Sequence, residues 1–503
     1  MLKKLCQCIG LASLILLVNY ADLLGGGGNV RLHSPLGLAS ICLAHIADIL
    51  ILTLGLFALL TPLTRTRFYP AIRLLLAILI PPYLIERTRL LYPFALPDGL
   101  VPVLTILWAA TLLILLLQFP SWYRRIMVFA STLGASFAVF ALFSIAQLLW
   151  VTRWKPPPQQ YSAAWAQTPQ PPRQHPLLVW VLFDELSYDQ VFEHRAHNLQ
   201  LPNFDILRSQ STLFSNVQPV AYKTAKVLPS LITGHIVDDF RFDSTSRLLL
   251  HYTDQHGWHS ISGNGTLFED AQKSGWRTAV VGWYNPYCTV YTSAIDNCYW
   301  TNSDTLDGPM AARYDFWHNT LSPLKQLGLR TLSPAKADRD FCTYDVQQHY
   351  QSHIDVEQHA FQLLHTDQAD FIFLHLAIPH SPNIWSRIND DYTQSCDSSY
   401  LDNLALADRE MGRILTTLQS SPRWKDTTLI VQGDHSWRVG LWNTLPAWTE
   451  EDDAASHEVF DPRPVLLIHQ PGQTQSQTNA AAWPLIQLHA VVDHILHGEP
   501  SLY

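Results

Sequence analysis

The chain has 503 residues, of which 48% are hydrophobic and only 15% charged. That is too long for one ordinary domain and too apolar for a wholly soluble protein. A formal net charge of -9 and a pI near 6.2 exclude a general nucleic-acid binder, which carries a basic face for the phosphates.

The apolar excess lies before residue 152, in stretches at about 5–24, 36–60, 70–86, 99–119 and 127–150. Most are long enough to cross a bilayer as helices of ~20 residues, so residues 1–151 are expected to be a transmembrane bundle of about five helices. The third stretch is the weakest, with Arg73 near its start and Pro81-Pro82 inside. With five spans, one side carries Lys3, Lys4, Arg65, Arg67, Arg124 and Arg125, and the short loops opposite carry Arg31, Arg87 and Arg89. This bias predicts a cytoplasmic N-terminus and an exported C-terminal part. The first span shows no small-residue cleavage site before the glycine run at 25–28. In the second span, His45 and Asp48 are three apart and share a helix face. They read as a satisfied pair inside the bundle or as a polar contact for a headgroup.

From 152 to 176 there are seven prolines in 25 residues, a semi-rigid linker. Beyond it, residues 177–503 alternate short apolar runs with amphipathic segments. Strands are expected at 177–183, 213–217, 278–283, 371–376, 427–432 and 464–468, and helices at 202–209, 267–274, 345–365 and 398–418. Continuous apolar strands between helices predict an α/β domain with a mainly parallel sheet covered on both faces. Of the seven cysteines, Cys6, Cys8 and Cys42 fall in the apolar part and Cys288, Cys298, Cys342 and Cys396 in the polar part. Four allow two disulfides, most simply Cys288 with Cys298 and Cys342 with Cys396, or four reduced buried thiols.

Three stretches carry chemistry. Asp184-Glu185 follow LLVWVLF, and Asp434-His435 follow TTLIVQG. Both pairs lie past the carboxyl end of a buried strand, where open α/β sheets place ligands, and acids there need a partner or a cation. Between them, Thr224 opens the apolar segment that closes at Thr233-Gly234, so its hydroxyl is expected beside helix N-terminal amides that favour phosphate. A threonine hydroxyl needs a base or metal to act as a nucleophile. Lys223 and Lys226 flank it, and Lys226 is a candidate point cation for transferred phosphate.

This set resembles the alkaline phosphatase superfamily, in its sulfatase-like, membrane-anchored branch. Thr224 to Gly234 has the interval from the sulfatase nucleophile to its Thr-Gly pair, and Thr224, Ala225 and Pro229 follow the phosphoethanolamine transferase pattern. The resemblance covers roughly Leu177 to Gly472. It implies Asp184 as the first acidic metal ligand, with Glu185 a possible second. Asp434 and His435 match Gly-Asp-His-Gly, with Ser436 in place of the last Gly. His380, in PHSP, matches a substrate-binding histidine; His375 is its competitor, read as packed in a strand. Two-metal relatives have Pro-Asp at this point, so one metal is implied here. His457, before RPVLLIHQPG, resembles a histidine that contacts the transferred group, and the preceding WNTLPAWTEEDDAAS, 442–456, reads as an inserted loop over the site. Tyr400, Asn403 and Asp408 lie on a helix read as packing.

The resemblance thus implies a membrane-anchored phosphotransferase or phosphodiesterase of phosphoethanolamine or phosphoglycerol transferase type. Thr224 is the expected nucleophile and Asp184, Glu185, Thr224, Asp434 and His435 the ligands of one divalent ion, Mn, Zn, Mg or Ca. His380, His457 and Lys226 would bind substrate. The donor would be a membrane lipid and the acceptor an envelope glycan, lipid or water, at the periplasmic side of a bacterial inner membrane. The alternatives are a sulfatase, for which Thr224 cannot supply formylglycine, and a non-catalytic lipid-sensing protein.

Overall fold

The computed structural model describes residues 2–17, 39–88, 100–152, 175–242, 248–261, 265–285, 287–291, 294–301, 316–317, 320–321, 323–325, 333–443, 445, 447–456 and 460–499. The chain divides into two compact units, Met1–Lys155 with Met310–Thr331, and Pro156–Pro309 with Leu332–Tyr503.

The first unit is helical: α1 (Leu2–Leu17), α2 (Ala39–Leu63), α3 (Tyr69–Thr88), α4 (Leu100–Gln118), α5 (Pro120–Ser136) and α6 (Ala138–Thr152). Among the described residues three stretches are long and apolar enough to cross a membrane: Cys42–Leu63, Leu100–Gln118 and Pro120–Gln147. The expected first span continues past Leu17 into residues outside those described. The expected third has an apolar part of only Tyr69–Pro82, with Pro81 and Pro82 inside the helix. The expected last span starts earlier, at Pro120, and is interrupted at Phe137 between α5 and α6. His45 turns inward, and its Nε2 lies 2.9 Å from Ser144 Oγ of α6.

The second unit is built on an eight-stranded sheet: β1 (Leu177–Asp184), β2 (Thr212–Phe214), β3 (Thr278–Trp283), β4 (Asn297–Thr301), β5 (Phe371–Pro379), β6 (Thr427–Gly433), β7 (Leu466–His469) and β8 (Gln477–Asn479). Their order is β8-β2-β7-β6-β1-β5-β3-β4. The central strands β6, β1, β5, β3 and β4 are all parallel, and β7 runs antiparallel to both its neighbours. β1 is buried along its whole length, and its alternate side chains feed two cores. Leu177, Val179, Val181 and Phe183 face α7 (Pro202–Ser209), α10 (Pro334–Leu364) and α11 (Tyr400–Ser420). Leu178, Trp180 and Leu182 face α8 (Thr224–Thr233), α9 (Leu267–Lys273) and α12 (Gln487–Leu496). A sheet covered on both faces explains why its strands read as unbroken apolar runs.

The expected 213–217 strand is split in two: β2 joins the main sheet, and Val217–Gln218 pairs with Trp483–Pro484. β4 and the three-stranded sheet of Val237–Phe242, Leu248–Tyr252 and Trp258–Ser260 lie outside the expected strands. The cysteines are joined as Cys288–Cys298 and Cys342–Cys396.

Candidate nucleophile and metal site

The sheet register brings the two acidic motifs together. Phe183 of β1 pairs with Gly433 of β6, so Asp184 and Asp434 leave adjacent parallel strands side by side. A Cβ on Gly433 would lie 2.5 Å from the carbonyl oxygen of Leu186; the glycine is what lets the two strand ends approach. The backbone N–H of Glu185 then donates to Asp434 Oδ1 at 3.0 Å.

Thr224 is the first residue of α8, preceded by Lys223 in an extended conformation that provides no side-chain cap. The amides of Thr224 and Ala225 therefore have no side-chain cap, while that of Lys226 donates to the Lys223 carbonyl at 2.8 Å. The interval from Thr224 to Gly234 is the length of this helix. Gly234 closes it at φ 76°, and a Cβ there would lie 2.8 Å from the His489 ring. The Thr224 hydroxyl donates to Asp434 Oδ2 at 2.7 Å, and lies 3.4 Å from Asp184 Oδ2 and 3.5 Å from His435 Nε2. His435 Nδ1 is 3.0 Å from the Ser436 carbonyl, so Nδ1 carries a proton, and Nε2 lies 3.1 Å from Asp434 Oδ2. Ser436 also donates to Ser187 Oγ at 3.0 Å, which fixes this loop on the one after β1.

Asp184, Asp434 and His435 are fully buried and close enough for one ion to touch all three. Two buried carboxylates in contact cannot both stay ionised without a cation. Burial first, and then Asp434, hold Asp184 well above the usual carboxylate range. Burial acts upward on Asp434 too, but His435, the Glu185 N–H and the Thr224 hydroxyl outweigh it and keep that group low. Asp184 Oδ1 and His375 Nε2 are buried without a hydrogen bond. An acceptor oxygen and an imidazole nitrogen left over beside a carboxylate pair fit a hard or borderline divalent cation.

Glu185, expected as a ligand, lies elsewhere. Its φ of 66° turns the chain away from the cluster, and its carboxylate accepts from Arg438 Nε and, at 2.8 Å, from Trp442 Nε1. Lys226 is also turned away, with its ammonium bonded to the Asp238 carbonyl. His380 follows β5 and its Nε2 lies 2.9 Å from Arg438 Nη2. Trp283 and Trp442 meet the His380 ring edge-on. Burial first, then Arg438, holds His380 well below the usual imidazole range. His375 is fully buried in β5, 3.6 Å from Asp184 Oδ2 through Nε2 and 2.8 Å from the Tyr287 hydroxyl through Nδ1; burial pushes it down to about 4. His457 lies outside the described residues.

Arg438 and Trp442 went unnoticed in the sequence. Their only signal is position: four and eight residues after Asp434, with Trp442 opening the segment read as an inserted loop. Tyr400 and Asn403 do more than pack. Tyr400 Oη donates to the Glu185 carbonyl at 2.7 Å, and Asn403 holds the His380 carbonyl at 3.0 Å and the Ile384 N–H at 2.8 Å. Asp408 instead accepts from the N–H groups of Asn203 and Phe204, at the start of α7. A cleft of about 570 Å³ adjoins the site, lined by Tyr222, Lys223, Trp437, Arg438 and Phe460 among others.

A family model described as Sulfatase matches residues 176–495. A comparison with curated proteins finds no match. The fold is similar to the phosphonate monoester hydrolase of Agrobacterium radiobacter, at 14% identity over 64% of this chain and 74% of that one, with a TM-score of 0.41. It is similar also to the PsFucS1 sulfatase from Pseudoalteromonas sp., at 13% identity over 65% of this chain and 68% of that one, with a TM-score of 0.40.

Proposed function

The chain belongs to the sulfatase family, and from that premise we propose that it is a membrane-anchored phosphotransferase or phosphodiesterase with Thr224 as nucleophile. The supporting observation is the placement of the Thr224 hydroxyl, at a helix N-terminus and 2.7 Å from Asp434 Oδ2. Asp184, Asp434, His435 and the Thr224 oxygen would hold one divalent ion. When bound, such an ion neutralises the carboxylate pair and lowers the pKa of the hydroxyl.

Thr224 Oγ1 attacks the phosphorus of a phosphodiester, and the bond to the leaving alkoxide breaks. The hydroxyl proton has an acceptor in place at Asp434 Oδ2 and leaves with the alkoxide. In the second half an acceptor hydroxyl or water attacks the phosphothreonine, and its proton returns to Thr224. The amides at the start of α8 face the charge on the non-bridging oxygens. His380 is neutral and holds Arg438 through Nε2 at 2.9 Å, so the guanidinium beside it is the nearer cation for a substrate oxygen, and His457 is a further candidate for contact with the transferred group. Donor and acceptor are expected to be a membrane lipid and an envelope glycan, lipid or water, with the site outside the inner membrane. Anchoring raises the effective concentration of a lipid donor.

Mass spectrometry of the Thr224 peptide, from protein isolated out of its membrane and cut without trypsin, tests this. An adduct on Thr224 is expected, and its mass distinguishes phosphoethanolamine, phosphoglycerol and phosphate. An unmodified Thr224 after addition of metal and each candidate lipid would overturn the nucleophile assignment and favour a lipid-sensing role.

A further inference from the structure

The helical unit contains a cavity of about 380 Å³ between α1, α2, α3, α4 and α5. Its polar lining gathers at one end: Lys4 and Gln7 in the first turns of α1, Thr61 and Thr64 where α2 finishes, and Tyr69 and Arg73 where α3 starts. Lys4 Nζ donates to Thr64 Oγ1 at 2.9 Å, which ties the start of α1 to the end of α2. Most of the remaining wall is apolar, with Leu11, Leu76, Ile80, Leu112 and Met127, and Ser131 lies on it next to Gln7, whose amide donates to the Ser131 carbonyl at 3.1 Å.

This end is cationic and uncompensated. Among the described residues no acid lines the cavity. The described parts of α1 to α6 hold two acids, Asp48 and Glu86. Asp48 is 13 residues before Thr61 on α2 and Glu86 is 13 after Arg73 on α3, each roughly 20 Å away along its helix. An arginine set among apolar helices is costly unless an anion or water meets it.

We propose that this cavity binds an anionic phospholipid, with its phosphate between Lys4 and Arg73 and part of one acyl chain along Leu11, Leu76, Ile80 and Leu112. Free phosphate would leave the apolar wall unused. A zwitterionic headgroup would bring its own cation against two others. The volume suits a headgroup and the start of one chain, and the remaining lipid stays in the bilayer. The site shares no residue with the Thr224 cluster and does not depend on what that cluster does.

The test is native mass spectrometry of the full-length protein with equimolar phosphatidylglycerol and phosphatidylcholine of the same acyl chains. Phosphatidylglycerol should be retained at least about tenfold better, as two nearby cations imply. The preference should vanish in Lys4→Gln/Arg73→Gln and persist in Arg124→Gln/Arg125→Gln, which removes two exposed charges on α5. Ala77→Phe, which fills the cavity and keeps both cations, should also weaken retention, and it decides the matter if the double variant does not fold. Equal retention of the two lipids, a preference that survives Lys4→Gln/Arg73→Gln, or full retention by Ala77→Phe would overturn the proposal. So would complete displacement of the lipid by inorganic phosphate.

Discussion

Arg438 Nη2 lies 2.9 Å from His380 Nε2, and a guanidinium has no acceptor. His380 must therefore accept at Nε2 and carry its proton on Nδ1. The same guanidinium pairs through Nε with the buried carboxylate of Glu185. One side chain thus fixes the tautomer of a candidate substrate ligand and neutralises the acid beside the nucleophile cluster.

Arg438→Gln should leave Glu185 buried beside only Trp442, at a cost of about 3–5 kcal/mol. Adding Glu185→Gln should recover most of that loss in a chemical denaturation series, because the uncompensated charge is gone. If both single variants and the double variant lose the same stability, the pair is not an energetic unit. Activity should stay low in the double variant, since the His380 tautomer is no longer imposed.

Thr224→Ala should lower turnover of a phosphodiester by at least about a thousandfold while the melting temperature changes by a few degrees at most. Thr224→Ser keeps the hydroxyl at the start of α8 and should retain measurable turnover. Equal turnover by wild type and Thr224→Ala would remove Thr224 from the chemistry.

Much of this site was legible in the sequence because each motif sits where a buried strand or a helix must end. Asp184 follows an uninterrupted apolar run, Asp434 follows the short apolar core Leu429–Val431 closed by Gln432-Gly433, and Gly234 marks the end of the helix that Thr224 begins. Orientation was not legible. Glu185 adjoins Asp184 in sequence, but its left-handed backbone sends the carboxylate to Arg438. That conformation costs a non-glycine residue about 1 kcal/mol and is held by the N–H, carbonyl and carboxylate bonds of Glu185. Lys226 lies two residues past Thr224, but on a helix that spacing points to a different face. β4 was missed because NCYWT is short and mixed, and its burial comes from its place beside β3.

Chelation should destabilise the wild-type protein, because Asp184 and Asp434 then face each other without a cation. Asp184→Asn removes that repulsion and a ligand together. The chelated variant should melt at or above the chelated wild type, and added Mn²⁺ or Zn²⁺ should raise the melting temperature of the wild type only. A metal response of equal size in both proteins would place the ion elsewhere.

Gly234→Ala should cost about 1–3 kcal/mol, since alanine is strained at φ 76° and its Cβ would meet the His489 ring at 2.8 Å. Adding His489→Ala removes the clash but leaves the backbone strain, so only part of the loss should return. Full recovery in the double variant would mean that the backbone conformation contributes nothing.

His353, on α10, is fully buried with Nε2 3.2 Å from the Tyr392 hydroxyl. Burial, then His349 and Arg413, pushes its pKa down to about 3. The folded protein thus keeps His353 neutral, while the unfolded chain protonates it near pH 6.5. The unfolded state binds more protons below that pH, so stability falls as the pH drops from about 6.5 towards 3. His353→Asn should flatten the decline by up to about one proton's worth of slope, at some cost near pH 7 from the lost contact with Tyr392. Melting temperatures of both proteins between pH 7 and 4 measure it, and parallel curves would mean that other buried groups, His375 among them, set the acid limit.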